Sequence, residues 1–328
     1  MNVMYTCDNN YVWIMGISVI SLFENNKNLS ELNVYLLGEK ISVENKKILS
    51  DIATKYKRNI NVIDVPKLDI PDSLVSARWP LSAFTRLFSG GILPMSIKKI
   101  LYLDCDTIIC GSIADLENVD FGNNVVCGVL DCISGTYKKN IGLSKNDPYI
   151  NAGVLLLDLD KLREVNIKET IDLYMKKYMK LINYADQDIL NGMFVGKIGN
   201  LDPKYDVMTI DVAHTFKEIC TLRRPTAFYA KEELEHGIKD RRLIHYTTNM
   251  RVIRPWFKDS NHPLAFEFIK YMKLSPWKDR ELLEVKFNSR EAKVIGLINL
   301  FPRKMSLKIL GVIHTILKPL YIKIKSCF

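Results

Sequence analysis

Lys99-Ile100-Leu101-Tyr102-Leu103-Asp104-Cys105-Asp106 is an apolar run that ends abruptly in two carboxylates. A run without polar alternation predicts a strand buried on both faces, as in a parallel or mixed sheet. The acids then sit at the sheet's C-terminal edge, where open α/β folds hold their ligands. Two close acids there call for a cation. Carboxylates are hard oxygen donors suited to Mg²⁺ or Mn²⁺, and such an ion typically bridges protein to a diphosphate, so a nucleotide substrate follows. The same Asp-x-Asp is also compatible with a plain turn after the strand.

On either side the α/β alternation continues. Strands are expected over Asn2 to Cys7, Leu32 to Leu37, Ile60 to Val65, Val125 to Asp131 and Ala152 to Leu157. Helices are expected over Trp13 to Phe23, Val43 to Tyr56, from Pro80 to Gly90-Gly91, and from Leu159 to Ile182. The stretch Val12 to Phe23 is apolar enough to imitate a signal peptide. Asp8 precedes it, however, where a basic residue would be expected, and it reads as a core helix.

The chain has 328 residues, 48% hydrophobic and 25% charged, which excludes a disordered polymer and is ample for a core. No run of eighteen uncharged apolar residues occurs, which excludes a polytopic membrane protein. The net charge of +9 is concentrated: Lys286 to Phe328 carries +8, leaving +1 for the first 285 residues. A phosphate-backbone track, and hence a nucleic-acid partner, is not expected. Seven cysteines, an odd number without a Cys-x-x-Cys pair, read as reduced thiols of a cytosolic chain.

Three further segments carry chemistry. His245 ends the apolar Leu243-Ile244 and is a candidate third metal ligand or a structural histidine. Asp186-Gln187-Asp188-Ile189-Leu190-Asn191 puts two acids and an amide at a helix start, more than capping requires. Asp8-Asn9-Asn10-Tyr11, after the first strand, suits either a base-binding group with a stacking ring or an Asn-rich turn.

Together, Leu101-Tyr102-Leu103-Asp104-Cys105-Asp106, Tyr149-Ile150-Asn151-Ala152-Gly153-Val154 and Asp186-Gln187-Asp188-Ile189-Leu190-Asn191 resemble glycosyltransferase family 8 over residues 1 to 260. This family of retaining enzymes includes bacterial lipooligosaccharide galactosyl- and glucosyltransferases and glycogenin. The resemblance implies a GT-A fold with a mixed, mainly parallel central sheet, a Mn²⁺ (or Mg²⁺) ion and a UDP-hexose donor. It implies Asp104, Asp106 and His245 as metal ligands, and Asp8, Asn10 and Tyr11 around uridine. It implies Arg86 and Asp104 against the donor, Asn151, Asp186 and Gln187 around the transferred sugar, and Asp131 near acceptor and donor. The segment after His245 departs from the family pattern by lacking a glycine. Arg254, before Pro255-Trp256, replaces the lysine that steadies the leaving diphosphate, and Thr247, Thr248 and Arg251 have no assigned role.

The expected organisation is a GT-A domain over residues 1–280 and a basic amphipathic tail over 281–328. Ile309, Val312, Ile313, Ile316, Leu317, Leu320 and Ile324 form the tail's apolar side. Such a tail suits an anionic membrane surface, placing the protein in the cytoplasm, peripherally attached to the inner face of the cell membrane. The expected reaction is hexose transfer to a glycan or lipid-linked saccharide in cell-surface polysaccharide or lipopolysaccharide synthesis. The alternatives are a self-glucosylating glycogenin-like protein and a non-catalytic sugar-nucleotide-binding membrane protein.

Overall fold

The computed structural model describes residues 1–66, 68, 84–249, 251–285, 296 and 300–326. A seven-stranded sheet has the order β3-β2-β1-β4-β7-β6-β8. Its strands are β1 (Asn2–Asp8), β2 (Asn33–Glu39), β3 (Asn59–Asp64), β4 (Lys99–Leu103), β6 (Val126–Leu130), β7 (Ile150–Asp158) and β8 (Ile198–Asn200). β3, β2, β1 and β4 are parallel, β7 runs antiparallel to both β4 and β6, and β8 is again parallel to β6. The run that reads as doubly buried is so: Ile100, Leu101, Tyr102 and Leu103 are at most 1% exposed.

The chain leaves β1 toward β2 on one side and returns to β4 on the other, so the sheet's switch point lies between β1 and β4. Asp8 ends β1, and Asp104 follows β4, at the same edge. The helix α1 (Val12–Asn25) follows from that edge, and every residue from Val12 to Phe23 is buried. It is a core helix, as its composition predicts. The helix α2 (Val43–Tyr56) is capped by Ser42, whose hydroxyl accepts from the Asn45 N–H.

A second sheet was not visible in the sequence pattern. It has the order β5 (Thr107–Ile109), β10 (Leu243–His245), β9 (Val207–Met208). β10 is antiparallel to β5 and parallel to β9, with His245 opposite both Thr107 and Met208. These segments are only two or three residues long, too short for a periodicity to register.

Two helical expectations are corrected. The segment Leu159 to Ile182 is two helices, Leu159–Arg163 and Ile167–Tyr178. Asn166 starts the second by accepting from the Glu169 N–H, while its own amide donates to the Glu169 carboxylate; this reciprocal cap breaks the first helix. Gly90 and Gly91 lie within a one-turn helix, Ser89–Ile92, rather than ending one. The expected start at Pro80 lies outside the described residues. The described cysteines are all free thiols, and Cys327 lies outside that set.

The C-terminal helix, Arg303–Ser326, is 24 residues long, with a π-helical turn at Ile313–Leu317 just ahead of Pro319. The looser turn accommodates a proline that an unbroken α-helix resists. The helix packs on Phe216–Arg223 through Leu307, Gly311 and Thr315, and on the helix Gly135–Asn140 through Pro319, all buried. A side chain at Gly311 would strike the Thr221 carbonyl. Arg303 pairs with Glu218 at 2.7 Å, holding that carboxyl down to about 2, and the Asn140 amide donates to the Pro319 carbonyl at 2.8 Å.

Asp211, in the helix Thr209–Ala213, is buried and accepts from the Met208 N–H. Burial pushes its carboxyl up to about 8, against the pull of that N–H and with a further push from Asp206 and Asp131. A carboxyl that ionises later in the fold than in the unfolded chain costs native stability as pH rises from about 4 to about 8. Asp211→Asn is therefore expected to melt like the wild type near pH 4 and several degrees higher near pH 8. Parallel melting curves across that range would contradict this.

Candidate active site

Asp104 and Asp106 reach the site from the turn between β4 and β5, and His245 from β10. Pairing of Thr107 with His245 sets the imidazole beside Asp106, and the Tyr246 N–H donates to the Asp106 carbonyl at 2.9 Å. His245 Nε2 lies 3.3 Å from Asp106 Oδ1 and 3.7 Å from Asp104 Oδ2. One ligand atom from each of the three residues falls within 4.8 Å of the others. Two hard carboxylates and one imidazole suit Mn²⁺ or Mg²⁺.

The opposite ring nitrogen decides whether the imidazole fits such an ion. Nδ1 lies 3.1 Å from Oδ1 of Asp206, a carboxylate with no exposed side-chain surface. That contact fixes the ring and turns Nε2 toward Asp104 and Asp106, the arrangement by which a carboxylate orients a metal-binding histidine. Asp206 carries no sequence signal beyond one acid before a two-residue strand, and sequence reasoning missed it. Gly153 supplies the space, since a side chain there would collide with the His245 ring and the Asp104 carboxylate.

Arg86 is a buried clamp. Its guanidinium lies 3.1 Å from Asp104 and 3.2 Å from Asp186, donates to the Ala152 carbonyl, and stacks 4.2 Å over the Tyr102 ring. Burial pushes the Asp186 carboxyl up to about 6 despite Arg86, with Asp104 adding to the rise. Although burial pushes the Asp106 carboxyl up, His245 and Arg254 outweigh it and hold it below the usual range. Arg254 Nη1 is 3.1 Å from Asp106 Oδ2, and its guanidinium stacks 4.9 Å over Trp256.

The helix Ala185–Met193 supplies the other half of the site. Ala185 has φ of +46°, a left-handed conformation rare for a residue with a side chain. The helix start is held by Asp188, which is fully buried. It accepts from the Tyr137 and Tyr149 hydroxyls at 2.6 Å each and from the Asn183 and Tyr184 N–H groups at 2.8 and 2.7 Å. Of the two acids, Asp188 is therefore the structural one.

Gln187 projects beside them. Its Oε1 accepts from Asn151 Nδ2 at 3.2 Å and the Ala152 N–H at 3.1 Å, and its Nε2 donates to Asp131 Oδ2 at 2.9 Å. Asn151 also accepts from the Gly153 N–H at 2.7 Å. The expected Asn151, Asp186, Gln187 and Asp131 thus form one connected group, joined through Arg86 to Asp104.

Asp8 accepts from the Asn10 and Tyr11 N–H groups at 2.8 and 3.2 Å, so its turn is locally closed. Asn10 and Tyr11 face solvent, while Asn9 instead accepts from the Ser42 N–H at the start of α2. Thr247 and Arg251 make backbone hydrogen bonds that shape the loop after His245: the Thr247 carbonyl accepts from Thr209, and the Arg251 carbonyl from Asn261.

Residues 2–260 match the family model described as glycosyl transferase family 8. The chain belongs to glycosyltransferase family 8. It is 31% identical over 216 residues to a Haemophilus influenzae protein named as a candidate glycosyltransferase, a match covering 64% of each chain. A lipopolysaccharide 1,2-glucosyltransferase of Escherichia coli is 28% identical over 286 residues, 85% of this chain and 79% of that one. In structure the chain is similar to the galactosyltransferase LgtC, solved with donor and acceptor sugar analogues. The TM-score is 0.68 at 23% identity, covering 89% of this chain and 99% of that one. The fold is GT-A, and the protein is a glycosyltransferase whose Asp-x-Asp and histidine form a metal-type site.

Asp206 would act on an ion bound at Asp104, Asp106 and His245 through the imidazole that it orients. Asp206→Ala is expected to weaken Mn²⁺ binding about 10- to 100-fold, and Asp206→Asn, which keeps an acceptor for the ring, by less. Titration of free Mn²⁺ by electron paramagnetic resonance measures this directly. Equal affinities in all three proteins would remove Asp206 from the site.

Proposed function

We propose that the protein is a divalent-metal-dependent, retaining hexosyltransferase. It moves galactose or glucose from a UDP-sugar to a saccharide or lipid-linked saccharide of cell-surface polysaccharide or lipopolysaccharide. The observation that carries this reading is the convergence of Asp104, Asp106 and His245, tied by Arg86 to the Asp186-Gln187-Asp131 group. The relatives named as lipopolysaccharide glucosyl- and galactosyltransferases support the hexose and the acceptor class.

A bound Mn²⁺ or Mg²⁺ would supply Lewis-acid stabilisation of the charge left on the departing diphosphate. Asp104, Asp106 and His245 would hold that ion, and Arg254 would add positive charge on the same side. Tyr11 offers an exposed ring for the base, with Asp8 and Asn10 beside it. As the bond from the sugar C1 to the phosphate oxygen breaks, positive charge grows on the sugar next to Asp186, Gln187 and Asp131. The acceptor oxygen bonds to C1 on the same face, and its proton passes to the released phosphate oxygen.

Front-side attack is favoured over a covalent carboxylate because the acids are otherwise engaged. Asp188 is held by four hydrogen bonds, and Asp186 pairs with Arg86. Gln187 positions Asp131 and lies against the sugar. Its amide oxygen is already bound by two N–H groups, which keeps the side chain in one orientation.

Residues 281–328 are the membrane-associating part of this reading. By length and composition alone the helix Arg303–Ser326 could also cross a membrane. Its packing on Phe216–Arg223, with Arg303, Lys304, Lys308, Lys318, Lys323 and Lys325 along it, favours lying on an anionic surface. Ile309, Val312, Ile313, Ile316, Leu317, Leu320 and Ile324 are exposed and available for that contact.

UDP release from a panel of UDP-sugars, with and without Mn²⁺, tests the chemistry. One UDP-hexose is expected to turn over only with metal, and Asp106→Asn to lose about 100-fold or more. Metal-independent turnover would contradict the assignment. Leu317→Glu with Leu320→Glu is expected to reduce co-sedimentation with phosphatidylglycerol vesicles. Unchanged binding would remove the membrane role from this helix.

A further inference from the structure

Tyr102, in β4, and Asp104, just beyond it, are two residues apart and so share a face, and the pairing of Met4 with Tyr102 brings Thr6 of β1 to that face. The Tyr102 hydroxyl donates to Asp104 Oδ1 at 2.5 Å and lies 3.2 Å from the Thr6 hydroxyl. Tyr102 and Thr6 are both buried. A tyrosine has one proton to give, and an ionised carboxylate can only accept. Asp104 takes the Tyr102 proton, so the Thr6 hydroxyl must donate to the Tyr102 oxygen. The result is a directed relay from β1 through β4 to the first acid of Asp-x-Asp.

This relay decides which oxygen of Asp104 is left for a cation. Oδ1 is held by Tyr102 and by Arg86, 3.1 Å away, while Oδ2 faces His245 Nε2. Asp106 is divided in the same way: Oδ2 pairs with Arg254, and Oδ1 faces the same Nε2 at 3.3 Å. Each acid thus offers one oxygen to the group. Arg86 shares its guanidinium with Asp186 and the Ala152 carbonyl, whereas the Tyr102 proton is committed to Asp104. The main chain is pinned as well, since the Asp104 N–H donates to the Gly153 carbonyl at 2.7 Å and the Cys105 thiol to the Thr6 carbonyl at 3.4 Å. Side-chain rotation is the freedom left to Asp104, and the Tyr102 hydroxyl opposes it.

The number of oxygens that a carboxylate offers separates cations. Ca²⁺ gathers roughly six to eight oxygens and often takes both from one carboxylate, whereas the smaller Mg²⁺ and Mn²⁺ suit a tighter octahedron. We propose that Tyr102, backed by Thr6, is a positioning residue that makes Asp104 a single-oxygen ligand and so sets the site's preference for Mn²⁺ or Mg²⁺ over Ca²⁺. The inference rests on the metal-dependent reading above and deepens it, because it assigns the choice of ion to a buried hydroxyl outside the ligand set.

The test measures Mn²⁺ binding to the full chain by electron paramagnetic resonance of the free ion, and Ca²⁺ binding by displacement of that Mn²⁺. Tyr102→Phe keeps the ring beneath Arg86 and removes only the hydroxyl. It is expected to weaken Mn²⁺ about tenfold and to leave Ca²⁺ within about twofold of the wild type, because the freed carboxylate can offer Ca²⁺ its second oxygen. Thr6→Val, in which Tyr102 keeps its bond to Asp104, is expected to shift the ratio of the two affinities in the same direction by less. It carries the test if Tyr102→Phe folds poorly. A wild type that binds no Mn²⁺, with or without UDP, overturns the metal-dependent reading and this inference with it. A wild type that binds Mn²⁺, with variants whose ratio of Mn²⁺ to Ca²⁺ affinity is unchanged, overturns the role of Tyr102 alone. Equal loss of both ions is such an outcome and marks a merely structural hydroxyl.

Discussion

Asp104, Asp106, Asp186 and Asp206 are crowded at one edge of the fold, and their mutual repulsion is the constraint around which the rest is arranged. Two unit charges about 4 Å apart at an effective dielectric near 20 repel by on the order of 4 kcal/mol, and Asp104 and Asp106 bring ligand oxygens within 4.8 Å of each other. The fold answers with fixed cations rather than with distance. Arg86 bridges Asp104 and Asp186, Arg254 pairs with Asp106, and His245 lies between Asp106 and Asp206. A divalent ion would complete the same compensation. The burial of Arg86 in the sheet edge, the left-handed turn at Ala185 and the missing side chain at Gly153 all serve to bring these charges into register.

What the sequence disclosed followed the length of each signal. β4 and its two acids were legible because four apolar residues in a row, Ile100 to Leu103, precede them, and α1 because its apolar run is long. His245 was legible as a strand end, but its convergence on Asp106 was not, because β5, β9 and β10 are two or three residues each. Asp206 was invisible for the same reason. The break at Asn166 could have been found: an Asn followed three residues later by Glu169 is a helix-start pattern, hidden inside a longer apolar periodicity. Arg86 and Asn151 were legible as candidates. Their partners, Asp186 and Ala152 for the one and Gln187 for the other, emerged only in three dimensions.

The tail shows how one helix can divide its surface. Gly311, Thr315 and Pro319, with Leu307, meet the domain, and most of the other large aliphatic residues are left facing outward. Close approach of two helices rewards small residues, whereas a soft, disordered surface rewards large ones. The helix therefore keeps most of its bulky residues for contacts other than its own domain.

The pairing of Thr107 with His245 also bears on how the protein is made. Asp106 and His245 are separated by about 140 residues of chain, and the strand that joins them cannot form until β10 exists. During synthesis the N-terminal strands and the turn at Asp8 precede the histidine by most of the chain. A nascent or truncated chain can thus assemble the edge formed by β1 and β4 without the complete Asp104, Asp106 and His245 set, and the metal-type site closes only after most of the chain has emerged.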